Sequence, residues 1–320
     1  MKFKKVLSLI LCLCLAASFT GCKRNYSKGE KPVVYMILKS LNSDFFQQMK
    51  NGAQTAANEF GVELHLEAPE SEDDYNTQNT LIERAVNKNA DAILLSAIDD
   101  EKSDAAVEKA VKNNVRVITV DSGVKTDAVE GFIGTDNISA GKAAAKAALS
   151  IKNEGEPIYI GLINYREETE NGRQREEGFR SFMKAYKNVH IYSYRADNTV
   201  KSAENAARML LKNNPNIQIL VGLNEWMTLG VGNVLENPPK GISNLRGIGF
   251  DCNVSSVELV ENGKMDALIV QSPFAMGYLS VKNAVHSVLS KSNGVIYTDV
   301  TTVTRDNLFQ PDIQKILFPF

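Results

Sequence analysis

An α/β fold made of two similar domains, each built on a parallel sheet, is predicted by three features of the sequence. Short β-branched or aliphatic runs alternate with segments of helical periodicity from Pro32 onward, as in chains of βαβ units. Several runs are apolar almost throughout, which is typical of strands covered on both faces. The runs are too numerous for one sheet of ordinary size, so we expect two sheets, with a break at residues 134–137.

The strands are expected at the runs themselves, and the helices between them. In chain order the runs are Val33–Leu38, Val62–Leu66, Ala92–Leu95, Val115–Val120, Val129–Ile133, Ile158–Ile163, Val189–Tyr194, Ile217–Val221, Leu245–Phe250, Ala267–Val270 and Val295–Val303. The first helix shows an apolar face at steps of three or four residues, formed by Phe46, Met49, Ala53, Ala56 and Phe60. Asp44, followed by Gln47 three residues later, is expected to cap this helix.

The N-terminal segment 1–21 has the pattern of an export signal. A short basic start precedes the apolar run Val6–Phe19, which is shorter than the roughly 20 residues that a membrane-spanning helix needs. The run ends in small residues before Cys22, and this resembles the bacterial lipoprotein signal, which implies that Cys22 is lipidated. An ordinary cleaved signal peptide with an incidental cysteine is the alternative. Residues 22–31 are expected to be a flexible tether.

Charge and cysteine content exclude several classes of function. Removal of the signal takes away three lysines and moves the net charge from −2 to −5, which argues against nucleic-acid binding. Cys252 is then the one cysteine besides the anchor Cys22, so no intrachain disulfide is expected. The three histidines stand apart from any other residue at ligand spacing, so we expect neither a metal site nor a cofactor.

Polar side chains follow the carboxyl ends of the expected strands, which is where open α/β sheets bind ligands. Asp, Arg, Asn and Gln offer the hydrogen bonds that the vicinal hydroxyls of a sugar need, and paired aromatic rings offer apolar surface to its C–H faces. The positions are Lys39 to Phe46, Asp121 and Ser122, Arg173 and Arg175, Arg195 to Asn198, Asn224 to Trp226, Asp251, and Gln271.

Each of these positions also has a purely structural interpretation. Phe46 fits the protein core, and Trp226 fits simple packing at the start of its helix. Helix caps or loops would explain Asp121, Asn224 and Asp251. Six such residues at the ends of six strands are harder to explain separately than as one ligand site. A solvated loop is expected at the acidic residues Glu70, Glu72, Asp73 and Asp74.

A series of motifs, in this order and spacing, resembles one family over almost the full length. The motifs are Leu41–Phe46 with Met49 and Gly52-Ala53, Ala92–Ser96, Val117–Asp121, Ile133–Asn137 with Gly141, Arg175–Phe179, Asn224–Met227, Gly247–Asp251, and Gln271 before Pro273 and Gly277. With them the chain resembles the type I periplasmic sugar-binding proteins of ABC transporters, and in pattern it is nearest to the ribose-binding branch.

The resemblance implies a set of ligand contacts: Ser43, Phe45, Phe46, Asp121, Ser122, Arg175, Asn198, Asn224, Asp251 and Gln271, with Lys39 where a further contact is often made. Ser122 stands where the ribose branch has Arg, and Asn198 stands where it has an aromatic residue. Trp226 is expected to supply the lost stacking surface. These differences count against ribose itself and leave pentoses, hexoses and other polyols open. Arg175 is expected to line an open cleft.

The resemblance also implies two Rossmann-like lobes joined by three crossings near residues 135, 271 and 300. Residues 32–134 with 272–299 would form the N-terminal lobe, and residues 135–271 with 300–320 the C-terminal lobe. A monomer of this type would close its lobes on a small sugar. It would lie at the outer face of the cell membrane through the lipid on Cys22, or in the periplasm, and would deliver the sugar to ABC permease subunits.

Several rival functions were weighed against this one. Sugar-responsive repressors share such lobes, but here a signal precedes them in place of a helix-turn-helix. No Ser/His/Asp set, metal cluster or phosphate loop favours an enzyme, and carboxylates paired with Arg stay ionised. Presentation of the ligand to a membrane sensor kinase stays open. So does a non-sugar solute, such as a nucleoside or another signal molecule.

Overall fold

The computed structural model describes residues 30–151, 155–286 and 294–318. The predicted signal and Cys22 therefore lie outside the described residues. All features below belong to residues 33–320, which form one compact unit. Within it the chain folds into two six-stranded sheets with helices between the strands, which confirms the predicted fold class.

The first sheet has the strand order β11-β5-β4-β3-β1-β2, and all of its pairs are parallel. Its elements are β1 Val33–Ile37, α1 Asp44–Phe60, β2 Glu63–Glu67, α2 Tyr75–Asn87, β3 Ala92–Leu95, α3 Asp104–Lys112, β4 Arg116–Val120, β5 Gly131–Gly134, α9 Pro273–His286 and β11 Val295–Tyr297. We call these elements the N-terminal lobe. Its core strands are buried along almost their whole length.

The second sheet repeats this arrangement in the order β12-β10-β9-β8-β6-β7, with only the edge strand β12 antiparallel to its neighbour. Its elements are α4 Asn137–Leu149, β6 Ile158–Asn164, α5 Glu170–Met183, β7 Val189–Arg195, α6 Val200–Asn213, β8 Ile219–Gly222, α7 Glu225–Glu236, β9 Arg246–Phe250, α8 Val254–Glu261, β10 Ala267–Val270, β12 Thr301–Thr304 and α10 Pro311–Leu317. We call these the C-terminal lobe.

Two details differ from the sequence-based expectation. The last predicted run, Val295–Val303, is two strands in different sheets, because residues 298–300 pass from one lobe to the other. The first helix is capped by Ser43 rather than Asp44, since the Ser43 side chain accepts a hydrogen bond from the backbone N–H of Phe46. Asp44 is instead the first residue of α1.

The chain passes between the lobes three times, and the three crossings are hydrogen-bonded to one another. The hydroxyl of Thr135 in the first crossing donates to Oε1 of Gln271 in the second at 2.7 Å. The N–H of Thr298 in the third crossing donates to the carbonyl of Gly134 at 2.7 Å. The hydroxyl of Ser272 donates to a carbonyl of the third crossing at 2.9 Å. The crossings therefore form one joined hinge rather than three independent linkers.

Glycines let helices of each lobe pack with their backbones in close approach. In the N-terminal lobe Gly52 of α1 lies against α9, where a Cβ would come within 2.0 Å of the Phe274 carbonyl oxygen. In the C-terminal lobe Gly141 of α4 lies against α5, where a Cβ would come within 2.1 Å of the carbonyl oxygen of Arg175. The Gly141 contact thus fixes the position of the backbone that carries Arg175.

We expect Gly141→Ala to destabilise the protein. At an open helix position, a Gly-to-Ala change stabilises by about 1 kcal/mol. Here the added methyl must displace the backbone of α5, so the free energy of unfolding should fall by about 1–3 kcal/mol. Urea unfolding measures it, with Lys142→Ala at the next, exposed position of α4 as the control. A gain in stability for Gly141→Ala would contradict the close packing.

Candidate functional site

A cavity lies where the carboxyl ends of the strands of both sheets meet. It is lined by Lys39, Ser43, Phe45, Phe46, Glu72, Asp121, Tyr165, Asn171, Arg175, Asn224, Glu225, Trp226, Asp251 and Gln271. Ten of the twelve ligand-binding residues predicted from the sequence are in this set. Both lobes contribute to it, which is the arrangement that the strand-end rule for open α/β sheets leads one to expect.

Asp121 and Asp251 occupy equivalent places in the two lobes. Asp121 follows β4, Asp251 follows β9, and each has a φ of 65°. The N–H of Asp121 donates to the Ile133 carbonyl, and that of Asp251 to the Ile269 carbonyl, both at 3.0 Å. Asp tolerates the left-handed region better than most residues do. The same backbone turn therefore places one carboxylate from each lobe in the cavity wall.

Lys39 and Asp121 form a buried ion pair in the N-terminal lobe. Nζ of Lys39 lies 3.2 Å from Oδ2 of Asp121, and both side chains are 4% exposed. The hydroxyl of Ser96 donates to the same oxygen at 3.0 Å. Asn171 of the opposite lobe donates to Oδ1 at 3.4 Å. The charge of Asp121 is thus balanced inside the protein, and a ligand meets both members of the pair.

Arg175 is fixed by contacts within its own lobe and is only 1% exposed. Its Nε donates to Oδ1 of Asn137 at 2.9 Å, and its Nη1 to the carbonyl of Leu223 at 2.8 Å. The guanidinium carbon lies 4.7 Å from the ring centroid of Phe250, a cation–π distance. Arg175 lines the cavity, as predicted, but it does more than line a cleft, because packing and hydrogen bonds within its own lobe also hold its side chain in place.

Asp251 connects the cavity to the hinge. Nε2 of Gln271 donates to Oδ1 of Asp251 at 2.5 Å, and Oε1 of the same amide accepts from Thr135 in the first crossing. Burial raises the pKa of Asp251 above its ordinary value, and the charge of Arg175 partly opposes this rise. A ligand that contacts Asp251 therefore contacts a group whose partner is part of the hinge.

Phe45, Phe46, Tyr165 and Trp226 supply the aromatic part of the wall. The rings of Phe45 and Phe46 are 5.2 Å apart and nearly perpendicular, and both also belong to the apolar core of the N-terminal lobe. The hydroxyl of Tyr165 donates to Oδ1 of Asn171 at 2.6 Å. Phe46 therefore belongs to the apolar core and also lines the cavity, so both interpretations of this residue are correct.

Two of the predicted residues do not line the cavity. The hydroxyl of Ser122 donates to the carbonyl of Ala97 at 2.7 Å, so the Ser122 side chain bonds a neighbouring loop and does not line the cavity. Asn198 lies between the lobes, where its Nδ2 donates to Glu72 at 2.8 Å and its Oδ1 accepts from Asn224 at 2.7 Å. Asn224 is also the N-cap of α7, as its structural interpretation predicted.

Four cavity residues were missed by the sequence-based reasoning: Glu72, Tyr165, Asn171 and Glu225. Tyr165 directly follows β6, so the strand-end rule applied to every strand would have found it. Glu225 lies within the strand-end positions 224–226 but was not predicted to be a ligand contact. Glu72 was expected in a solvated loop, but its carboxylate accepts a hydrogen bond from Nε1 of Trp226 at 3.0 Å. Burial raises the pKa of Glu72, and it raises that of Glu225 to about 7.

Among residues 30–151, 155–286 and 294–318, no group of three His, Cys, Asp or Glu side chains could hold a metal ion. No helix of these described segments is long and apolar enough to cross a membrane.

Comparison with known proteins agrees with this architecture. The family model for the periplasmic binding protein domain matches residues 34–292, so the chain belongs to that family, which confirms the resemblance seen in the sequence. It is 28% identical over 272 residues to the D-allose-binding periplasmic protein of Escherichia coli, covering 82% of this chain and 86% of that protein. It is 26% identical over 284 residues to the ribose import binding protein RbsB of Escherichia coli, covering 89% and 92%.

Solved structures show the same likeness. An ABC transporter solute-binding protein from Agrobacterium vitis, with bound D-fucose, has a TM-score of 0.82 and 30% identity, over 89% of this chain and 100% of that one. A carbohydrate transporter solute-binding protein from Agrobacterium radiobacter, in complex with D-arabinose, has a TM-score of 0.83 and 27% identity, over 91% and 100%. These relatives are binding proteins of transporters and not enzymes.

We expect Arg175→Ala to remove ligand binding and also to lower the melting temperature of the ligand-free protein. The change leaves the Asn137 and Leu223 acceptors without their donor, which costs roughly 1–3 kcal/mol. Scanning calorimetry without ligand measures the loss. Arg180→Ala is the control, because Arg180 is a partly exposed residue of the same helix whose ion pair is worth about 1 kcal/mol or less. An unchanged melting temperature for Arg175→Ala would contradict the structural role.

Proposed function

We propose that this protein captures a small sugar in the cavity between its lobes and delivers it to the permease of an ABC transporter. The single observation that carries the proposal is the cavity itself, in which Asp121 and Asp251 come from equivalent strand ends of the two lobes and lie with Lys39, Arg175 and two phenylalanines in one wall. Its relatives are named for D-allose and ribose, and related structures hold D-fucose and D-arabinose.

The side chains of the cavity suit the hydroxyl groups of a sugar. Asp121 and Asp251 accept hydrogen bonds from hydroxyls, whereas Lys39 and Arg175 donate to them, and such charge-assisted bonds are the stronger kind. Asn224 and Gln271 line the same cavity, and their amide side chains can both donate hydrogen bonds to hydroxyls and accept them. Phe45 and Phe46 are expected to cover the C–H faces of the ring. Ser43 and Trp226 lie in the same wall.

Ligand capture in this proposal depends on closure of the two lobes. We take the lobes as residues 32–134 with 272–299 and residues 135–271 with 300–320, turning about the joined crossings. A ligand that contacts both Asp121 and Asp251 gains most of its contacts only when the lobes are together. It therefore favours the closed state, because only differential affinity can shift such an equilibrium.

The proposed location is the outer face of the cell membrane. A lipid on Cys22 would hold the protein there and residues 22–31 would tether it, or the protein would be free in the periplasm. A monomer suffices, since both halves of the cavity come from one chain. The roles of the relatives in sugar import and ABC transport favour a permease over a sensor kinase as the partner.

We expect a sugar to raise the melting temperature of the protein. A panel of D-ribose, D-allose, D-arabinose, D-fucose, adenosine and alanine tests this, because a ligand at a hundredfold excess over Kd adds about 2.7 kcal/mol of stability. Asp251→Asn should abolish the rise, whereas Asp266→Asn, outside the cavity, should keep it. A response to adenosine or alanine and to no sugar would overturn the sugar assignment.

We expect Cys22→Ser to release the protein from membranes. The substitution removes the acyl-acceptor sulfur, and membrane attachment of a body of this kind depends on its acyl chains. The measurement is the share of the protein in the membrane fraction of a bacterial host that processes lipoproteins. Cys252→Ser, in the buried part of the fold, is the matched control. Equal membrane retention of Cys22→Ser and the unaltered protein would argue against the lipid anchor.

A further inference from the structure

The first turn of α7 in the C-terminal lobe contacts the N-terminal lobe through Glu225. Its two carboxylate oxygens accept from the backbone N–H groups of Asp44 and Phe45, each at 3.3 Å. These are the first residues of α1, whose N–H groups have no partner within the helix. Nδ2 of Asn253 donates to Glu225 at 3.1 Å. Glu225 thus bonds the start of a helix in the opposite lobe and is steadied from its own.

Trp226, the next residue, makes a second hydrogen-bonded contact between the lobes, in which the lobes exchange the roles of donor and acceptor. Here the carboxylate belongs to the N-terminal lobe and the donors to the C-terminal lobe. Nε1 of Trp226 donates to Oε1 of Glu72 at 3.0 Å, and Nδ2 of Asn198 donates to Oε2 at 2.8 Å. Asn224 holds Asn198 in turn at 2.7 Å. Two consecutive residues of α7 therefore bond two separate segments of the other lobe.

We propose that Glu72, Glu225 and Trp226 form a latch that sets the free energy of lobe closure for any ligand. They are positioning residues, and they do not determine which sugar binds. This inference rests on the proposed function, because it concerns closure around the same cavity. It assigns a role to two glutamates that the strand-end reasoning passed over.

The hydrogen bonds of the latch explain why it acts through closure. Both carboxylate oxygens of Glu72 and both of Glu225 already have protein donors when the lobes are together. All of these donors except Asn253 belong to the opposite lobe, so lobe opening breaks the bonds. Removing one carboxylate should therefore weaken every ligand by the same factor. Loss of a direct contact would instead weaken only ligands that carry the matching hydroxyl.

Other contacts between the lobes are poorer candidates for this role. Arg166 pairs with Asp73, and Arg173 with Asp100, but both arginines are about 40% exposed. Exposed ion pairs contribute little, commonly about 1 kcal/mol or less. Hydrogen bonds that involve a charged group and are shielded from water contribute more. The latch residues line the cavity, and Glu225 is only 7% exposed.

A disulfide across the cleft measures closure without any sugar. The N–H of Asp100 donates to the carbonyl of Glu168 at 3.3 Å, so the two backbones meet directly across the cleft, and a disulfide needs Cα atoms within roughly 7 Å. The full chain with Asp100→Cys and Glu168→Cys is equilibrated in a glutathione buffer, and the linked peptide is quantified by mass spectrometry. Burial raises the pKa of the Cys252 thiol to about 12, so that thiol exchanges slowly.

We expect Glu72→Ala and Glu225→Ala, each added to this pair, to lower the equilibrium constant for linking by at least roughly tenfold, because each removes two charge-assisted hydrogen bonds between the lobes and one such bond alone is worth about that factor. Glu70→Ala, an exposed residue of the loop that carries Glu72, and Glu236→Ala, at the exposed end of α7, should leave it within about twofold. Trp226→Phe removes only the donor and keeps the ring, so it tests the latch if an alanine variant folds poorly. Unchanged linking in all three latch variants would overturn the proposal.

Trp226 is the one tryptophan of the chain, so its fluorescence follows the latch directly during titration with D-ribose, D-allose, D-arabinose and D-fucose. Emission should move to shorter wavelength as a sugar closes the lobes. Glu72→Ala should raise the Kd of every sugar that binds by the same factor, and a loss confined to one sugar would make Glu72 a ligand contact and overturn the latch. If the unaltered protein binds none of them, the proposed function fails, while the disulfide equilibrium still decides the latch.

Discussion

The burial of two carboxylates, Asp121 and Asp251, is the constraint on which the site depends. A buried charge is costly unless it is paired and hydrogen-bonded, so each carboxylate dictates its surroundings. Asp121 has Lys39 at 3.2 Å, and Asp251 has the amide of Gln271 at 2.5 Å and the nearby charge of Arg175. Because the two lobes repeat one topology, the same left-handed backbone turn places one carboxylate from each lobe in the cavity wall. The cavity is therefore a consequence of the repeated fold and not an addition to it.

The site and the hinge share a residue, and this links ligand contact to lobe movement. Gln271 lies in the second crossing, donates to Asp251 and accepts from Thr135 of the first crossing. A hinge usually needs freedom, whereas a ligand site needs fixed geometry. Here a single amide belongs to both, since Gln271 bonds Asp251 in the cavity wall and Thr135 in the first crossing. We infer that the crossings turn together.

The fold could be predicted from the sequence because apolar periodicity reports burial. The strand prediction failed at Val295–Val303, since a run of strand-forming residues does not show where the chain leaves one sheet for another. Most of the cavity followed from the strand-end rule, but Glu72 did not. Its partners Asn198 and Trp226 lie 126 and 154 residues away. An acidic loop indicates solvent exposure unless such distant donors are known, and no local pattern shows them.

Under the proposed function, the balance of charge in the cavity gives a reason for closure to depend on a ligand. Four carboxylates line it against two cationic side chains, Lys39 and Arg175. Glu72 and Glu225 receive their hydrogen bonds from neutral N–H donors and not from cations. Burial raises both of their pKa values, and only for Glu72 does a nearby cation, Lys39, partly oppose the rise. The latch bonds offset part of the cost of this burial. Hydroxyl groups that donate to Asp121 and Asp251 would supply the remainder, so that the closed state prevails only around a ligand.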